Sequence, residues 1–186
     1  AQAAAYAMGR AMDDVIIAAA TGTAYTGETG TGTESAQTAI AASVGLTTGL
    51  NIPKLAKAKE TFDLSDVDPS IPRHIVCGPE QITNLLGTTE VTSSDFNTVK
   101  ALVNGEVDTF LGFKFTTSTR LAKSGNDRTV IAFAQDGITS GIGKDVNARI
   151  DERADKSYAT QVYYCMSIGA TRMEQAKVVP ITCTEA

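Results

Sequence analysis

Acid-base chemistry near neutral pH most often uses histidine, and this sequence of 186 residues has one, His74. A Ser-His-Asp arrangement would have to recruit it. It stands inside the apolar run RHIVC directly before Gly78-Pro79, where a structural residue at a strand edge is the better reading. Cys77, Cys165 and Cys183 are odd in number and lack CxxC spacing, so they read as buried free thiols of a reducing compartment. With a single histidine they offer no zinc-ligand spacing either. Asp63, Asp66 and Asp68 lack the glycine and distal glutamate of a calcium loop and run into Pro69, which suits a helix-ending turn. Gly27, Gly30 and Gly32 spell GxxGxG after a helix, the wrong order and place for a dinucleotide fingerprint. GIGKD at Gly141 to Asp145 resembles the end of a phosphate loop, but Asp145 replaces the required Ser or Thr and Ile138 the leading Gly. Tyr158, Tyr163 and Tyr164 lack interleaved basic residues, so a sheet core or subunit contact suits them better than base stacking.

One charged constellation remains. Arg149, Asp151 and Arg153, with Asp155 and Lys156, mix both signs around a turn. They form either a solvated face worth little per pair or a self-complementary contact with a symmetry-related copy. The whole chain is 42% hydrophobic and 20% charged with net charge −5, enough to bury a core and too acidic for a broad grip on phosphates. No apolar run approaches the roughly 20 residues of a membrane span, and the start lacks the order of a secretion signal. The missing initiator Met and a beginning that reads as mid-helix predict that a segment precedes Ala1.

The elements that must position these residues follow from periodicity. Ala3 to Ala20 is an alanine-rich amphipathic helix with Met8, Met12, Val15 and Ile16 on one face, stopped by Thr21-Gly22. Thr23 to Thr33 reads as an exposed loop, and Ala36 to Leu46 has a mild β tendency. Asn51 and Pro53 open a helix burying Leu55, Ala58 and Phe62 and leaving Lys54, Lys57 and Lys59 in solvent. Arg73 to Cys77 is a strand turning at Gly78-Pro79 into a helix with Ile82, Leu85 and Leu86 that ends at Gly87. A helix capped by Ser94 or Asp95 carries Phe96, Val99 and Val103 inward, and Phe110 to Phe115 returns to strand. Val130 to Phe133 is a buried-type run. Val146, Ala148 and Ile150 form a dry face alternating with wet Asn147, Arg149 and Asp151. After the polar turn Ala154 to Ser157, Tyr158, Thr160, Val162, Tyr164, Met166, Ile168 and Ala170 share one face of a partner strand about 40 Å long. Two regions result, with a central lobe of residues 46–143 inserted into a layer formed by residues 1–45 and 144–186.

The order of these elements, and several stretches of sequence, resemble the major capsid proteins of tailed phages, whose α+β fold is named after the phage Hong Kong 97. AYAMGRAMDDVIIAA with the Thr/Gly segment resembles the end of that family's spine helix. RHIVCGPEQITNLLG and FNTVKALVNGEVDTFLGFKF resemble its mixed α/β axial domain. GKDVNARIDERADKSYATQVYYCMSIGATRM resembles the long hairpin of its peripheral domain. The resemblance implies a structural protein without catalytic residues or cofactor, assembling in the host cytoplasm into hexamers and pentamers of an icosahedral shell. Scaffold, portal and decoration proteins are the implied partners, with packaged DNA touched only loosely and no membrane. By position it also implies inter-subunit contacts from the loop of Thr88, Thr89, Glu90, Ser94 and Asp95 near the capsomer centre, and from the tip Glu152 to Ser157 around a local threefold axis, while Arg149 and Asp151 join them through the charge pattern above. The family's N-terminal arm and extended loop have no counterpart in the sequence. Two alternatives stay open: a decoration or adhesion module, and a ligand-binding or enzymatic domain relying on His74.

Overall fold

The computed structural model describes residues 2–45, 47–87 and 109–185. Helix α1 (Gln2–Thr21) is rich in alanine and has no proline, and its stripe of Met8, Met12, Val15 and Ile16 is half-buried as expected. Gly22 closes it, donating its N–H to Ala18 O at 2.8 Å. The Thr/Gly segment is a small antiparallel hairpin rather than a bare loop: β1 (Ala24–Thr26) pairs with β2 (Gly32–Glu34). Its β-branched threonines favour extended backbone, and Gly27 and Gly30 take the positive φ (85° and 66°) that the turn requires. The β tendency expected from residue 36 onward leaves only a bridge from Ile40 to Ile181 among the described residues.

Asn51 caps α2 (Ile52–Leu64) by accepting the Lys54 N–H at 2.9 Å. Leu55, Ala58 and Phe62 are buried as expected, but the expectation of a solvated Lys54 is overturned. Lys54 lies on the stripe of Ala58 and Phe62, and its Nζ donates to Thr48 O at 2.6 Å and Gly49 O at 2.7 Å. These two carbonyls replace the water that burial removes, and the same desolvation lowers the ammonium pKa.

β3 (Arg73–Cys77) runs through the turn at Gly78 into α3 (Pro79–Leu86), matching the expected unit. Beyond residues 88–108 the chain forms β4 (Thr109–Phe110) and β5 (Phe113–Thr117). The single strand expected from Phe110 to Phe115 is thus a tight hairpin, with Leu111 and Gly112 at φ 52° and 85° in the turn. β6 (Lys123–Ser124), β7 (Asp127–Ala134) and β10 (Val178–Thr184) complete a six-stranded sheet. Its order is β10-β7-β3-β5-β4, with β6 on β7, and β3 runs parallel to β5 while the other pairs are antiparallel. Phe62, Ile75, Phe113, Val130 and Ile181 form its fully buried core with α2. His74 is not at an edge: β3 lies between β5 and β7, and the imidazole stacks on Phe133 with ring centroids 5.5 Å apart.

Between β7 and β10 a long hairpin leaves the sheet, formed by β8 (Ile138–Arg153) and β9 (Ala159–Arg172). The expected division at residue 144 is corrected on both sides. The hairpin already starts at Ile138, and β10 pairs with β7 from Val178–Phe133 to Thr184–Asp127 instead of staying with the hairpin. VVPITCT is too continuously apolar for a half-exposed hairpin strand and is buried in the sheet. At the neck, Met173 N–H donates to Gly137 O at 3.0 Å, and Lys177 pairs with Asp136 and Glu174. A Cβ on Gly137 would stand 2.8 Å from Lys177 O, so glycine is required for this close crossing.

Two buried ionic groups lock these parts together. Arg172, at the end of β9, donates to Ala20 O (3.1 Å), Gly22 O (2.8 Å) and Glu34 O (2.8 Å), joining the end of α1, the small hairpin and the long hairpin. Replacing Arg172 with Met keeps the apolar stem and strips these carbonyls of their donor, with an expected loss of about 2–4 kcal/mol read from the denaturant midpoint. A change within about 0.5 kcal/mol would refute this role. Glu185 accepts from Arg128, Gln81 and Lys123, which hold its carboxyl at about 2 against an ordinary 4.5. A depressed carboxyl contributes fully above the unfolded value and loses its contribution as pH falls through the folded one. Thermal melts should therefore show stability falling between pH 4.5 and 2, with Glu185→Gln flattening that slope.

Candidate subunit interface

Cross-strand pairing assigns the residues of the outer hairpin to two faces. Ala148 opposite Tyr164, Ile150 opposite Val162 and Glu152 opposite Thr160 share one face; Arg149 opposite Tyr163, Asp151 opposite Gln161 and Arg153 opposite Ala159 share the other. Irregular register around Lys144 inserts extra β8 residues, and there Asp145 accepts the Val146 N–H at 2.7 Å, so GIGKD is part of a bulged strand.

Helix α1 lies along the first face over β9, where Tyr164, Met166, Ile168 and Ala170 are half-buried. Arg172 holds the last helical turn at the root of the hairpin, and the described residues of α1 run from there along β9. Farther out Ile150 is 71% exposed and Val162 50%. The expected dry face keeps its alternation, with its outer part exposed among the described residues.

The tip departs from expectation in one detail. Tyr158 is not in the strand, which begins at Ala159; it follows a 3-10 turn (Ala154–Lys156) and lies with Ser157 in left-handed backbone, φ 53° and 58°. Such a conformation costs a non-glycine residue on the order of 1 kcal/mol. The Tyr158 ring is 71% exposed.

Of the charges singled out in the sequence, Arg153 and Asp155 pair with each other through both guanidinium arms, one at 2.8 Å. The pairing lowers the Asp155 pKa and raises that of Arg153. Both are solvent-exposed, so the pair adds little stability. Arg149, Asp151, Glu152 and Lys156 are exposed and make no ion pair among the described residues. Thr88, Thr89, Glu90, Ser94 and Asp95, and the helix expected to carry Phe96, Val99 and Val103, lie outside the described residues.

Two of the three thiols are shielded by burial. Burial pushes the Cys77 thiol up to about 12 and the Cys183 thiol to about 11, which leaves both protonated and inert at neutral pH. Asp63 is bonded to Arg73, whose guanidinium also lies 5.2 Å from the Phe62 ring centre. Asp68 accepts the Ser70 N–H, as a helix-ending turn requires. The buried polar residues that sequence reasoning missed, Lys54, Arg73, Gln81, Arg172 and Glu185, hydrogen-bond within the fold. Only Lys54 left a local signal, its position one turn before Ala58 on the apolar stripe.

The model of the phage capsid protein family matches residues 1–185. No curated protein matches the sequence significantly. Among solved structures, a chain from Mycobacterium phage Che8 superimposes with TM-score 0.65 at 19% identity, covering 97% of this chain and 61% of its own. The capsid of cyanophage P-SCSP1u gives 0.65 at 17% identity over 100% of this chain and 66% of its own. The cyanophage Pam1 capsid gives 0.67 at 14%, over 100% and 68%. The chain thus spans about two thirds of the length of these relatives, and at such identities the likeness is one of fold. A helix laid along a long two-stranded hairpin, beside a mixed sheet built from both sides of it, is the architecture they share, and this chain belongs to the phage capsid protein family with a Hong Kong 97-type fold.

Proposed function

We propose that this chain is a structural subunit of a phage head, acting through contacts between identical copies that build hexamers and pentamers of a closed icosahedral shell around double-stranded DNA. The observation that carries this reading is the long hairpin standing out from the sheet, with Ile150, Val162 and Tyr158 exposed toward its outer end among the described residues. Burying such a surface is favourable by about 25 cal/mol per Å². Membership of the capsid family supports the same reading.

The subunit has no catalytic role and takes no cofactor. It resides in the virion capsid after assembly in the host cytoplasm, where scaffold, portal and decoration proteins are its other partners. With a net charge of −5 it meets packaged DNA only loosely. Arg149, Asp151, Glu152 and Lys156 pair between copies, because alternating signs complement the same patch on a neighbour and set its register.

Electron microscopy of the complete protein at assembly concentration should show capsomers or closed particles. A protein that stays monomeric, or that only binds preformed shells added in trans, overturns the reading. Arg149→Glu should weaken assembly while shifting folding stability by no more than about 0.5 kcal/mol, since the side chain is exposed and unpaired within the chain. Equal losses in the assembly assay and in a thermal melt would count against an inter-copy role for Arg149.

A further inference from the structure

β10 ends the six-stranded sheet, and an end strand offers outward N–H and C=O groups to which a strand of another chain can add. Backbone alternation identifies these groups. Pro180 O accepts the Ile40 N–H at 2.9 Å, so Pro180, and with it Val178, Thr182 and Thr184, turns its peptide groups away from β7. At each of these four positions the outward donor is taken or missing. The Val178 N–H goes to Gln175 O, Pro180 has none, and the N–H groups of Thr182 and Thr184 go to Ile40 O (2.9 Å) and Thr48 O (3.0 Å). Proline here costs no bond to β7, and it stops the pairing at Ile40 from running on to Thr38. The covering carbonyls are themselves clamped by the start of α2. Lys54 Nζ holds Thr48 O and Gly49 O, and Asn51 Nδ2 holds Val44 O at 3.0 Å and Thr47 O at 2.8 Å.

We propose that residues 40–45 and 47–49 form a guard strap, clamped by Lys54 and Asn51, that prevents β10 from pairing edge to edge with β10 of a second copy. A second copy is the strand to exclude, because it carries the same edge and is present wherever the protein is concentrated. The core behind that edge is apolar, with Val179, Ile181 and Cys183 buried in β10, so an uncovered edge would join readily to its like. The strap also gives the buried Lys54 a task that an apolar side chain could not perform, since only a donor holds carbonyls in place. The guard acts on the unassembled subunit and stands apart from the shell reading.

Hydrogen exchange on unassembled subunits of the complete protein should find the Thr182 and Thr184 amides protected like those of β7; exchange as fast as in an exposed loop overturns the strap. Lys54→Met with Pro180→Val removes both guards. It should speed Thr184 exchange about tenfold or more and bring subunits together, by sedimentation, at concentrations where the parent stays dispersed. Adding Ile40→Cys and Ile181→Cys, a disulfide that ties the strap to β10, should restore the dispersed state, and reduction should abolish it again. A variant that exchanges freely at Thr184 yet stays dispersed overturns the guard, and so does association that the tied strap leaves unchanged. If Lys54→Met misfolds, seen as free exchange throughout β7, Ile40→Ala takes its place, loosening the strap without stranding a carbonyl. The same outcomes then decide.

Discussion

The last turn of a helix leaves carbonyl groups with no partner in the helix, and here those of Ala20 and Gly22 are met by one guanidinium, Arg172. The same group reaches Glu34 O, so a single side chain fixes where α1 ends, where the small hairpin sits and where the long hairpin begins. Its planar fork of five donors allows this, which the point charge of a lysine would not. Arg172 thereby fixes the point from which the described residues of α1 run outward along the hairpin.

The central sheet is the opposite case, closed on itself. Residues on both sides of the hairpin meet in it, since β7 precedes the excursion and β10 follows it, and Ile40 from upstream bonds to the outer edge of β10. That edge would otherwise present unpaired N–H and C=O groups to other chains. Glu185 ties the end of the chain to Arg128 on β7, to Lys123 on β6 and to Gln81 on α3. The sheet with its buried core against α2 and the exposed hairpin are thus two differently covered parts of the fold. The two parts are joined at the neck by the Met173 N–H to Gly137 O bond and by the close crossing of Gly137 and Lys177.

What the sequence by itself determined is local. Alanine content and the spacing of Met8, Met12 and Ile16 specify α1; the Asn51 cap and Pro53 specify the start of α2; the RHIVC run and Gly78-Pro79 specify β3 and α3. Each depends on neighbours within a turn or two. The alternation in β8 and β9 also assigned the two hairpin faces correctly, and the ordered set of segments was enough to suggest a capsid fold.

What only the tertiary structure decided depends on partners far apart along the chain. Arg172 and Ala20 are separated by 152 residues, and Gln81 and Glu185 by 104, so no window of sequence could reveal their bonds. Lys54 looked solvated because charge normally stays in water, and it is buried only because Thr48 and Gly49 turn their carbonyls toward it. β10 resembled a continuation of the hairpin until pairing with β7 placed it in the sheet. That Tyr164 and Met166 are half-buried beneath α1 while Ile150 and Val162 farther out are exposed is visible only once helix and strand are laid side by side.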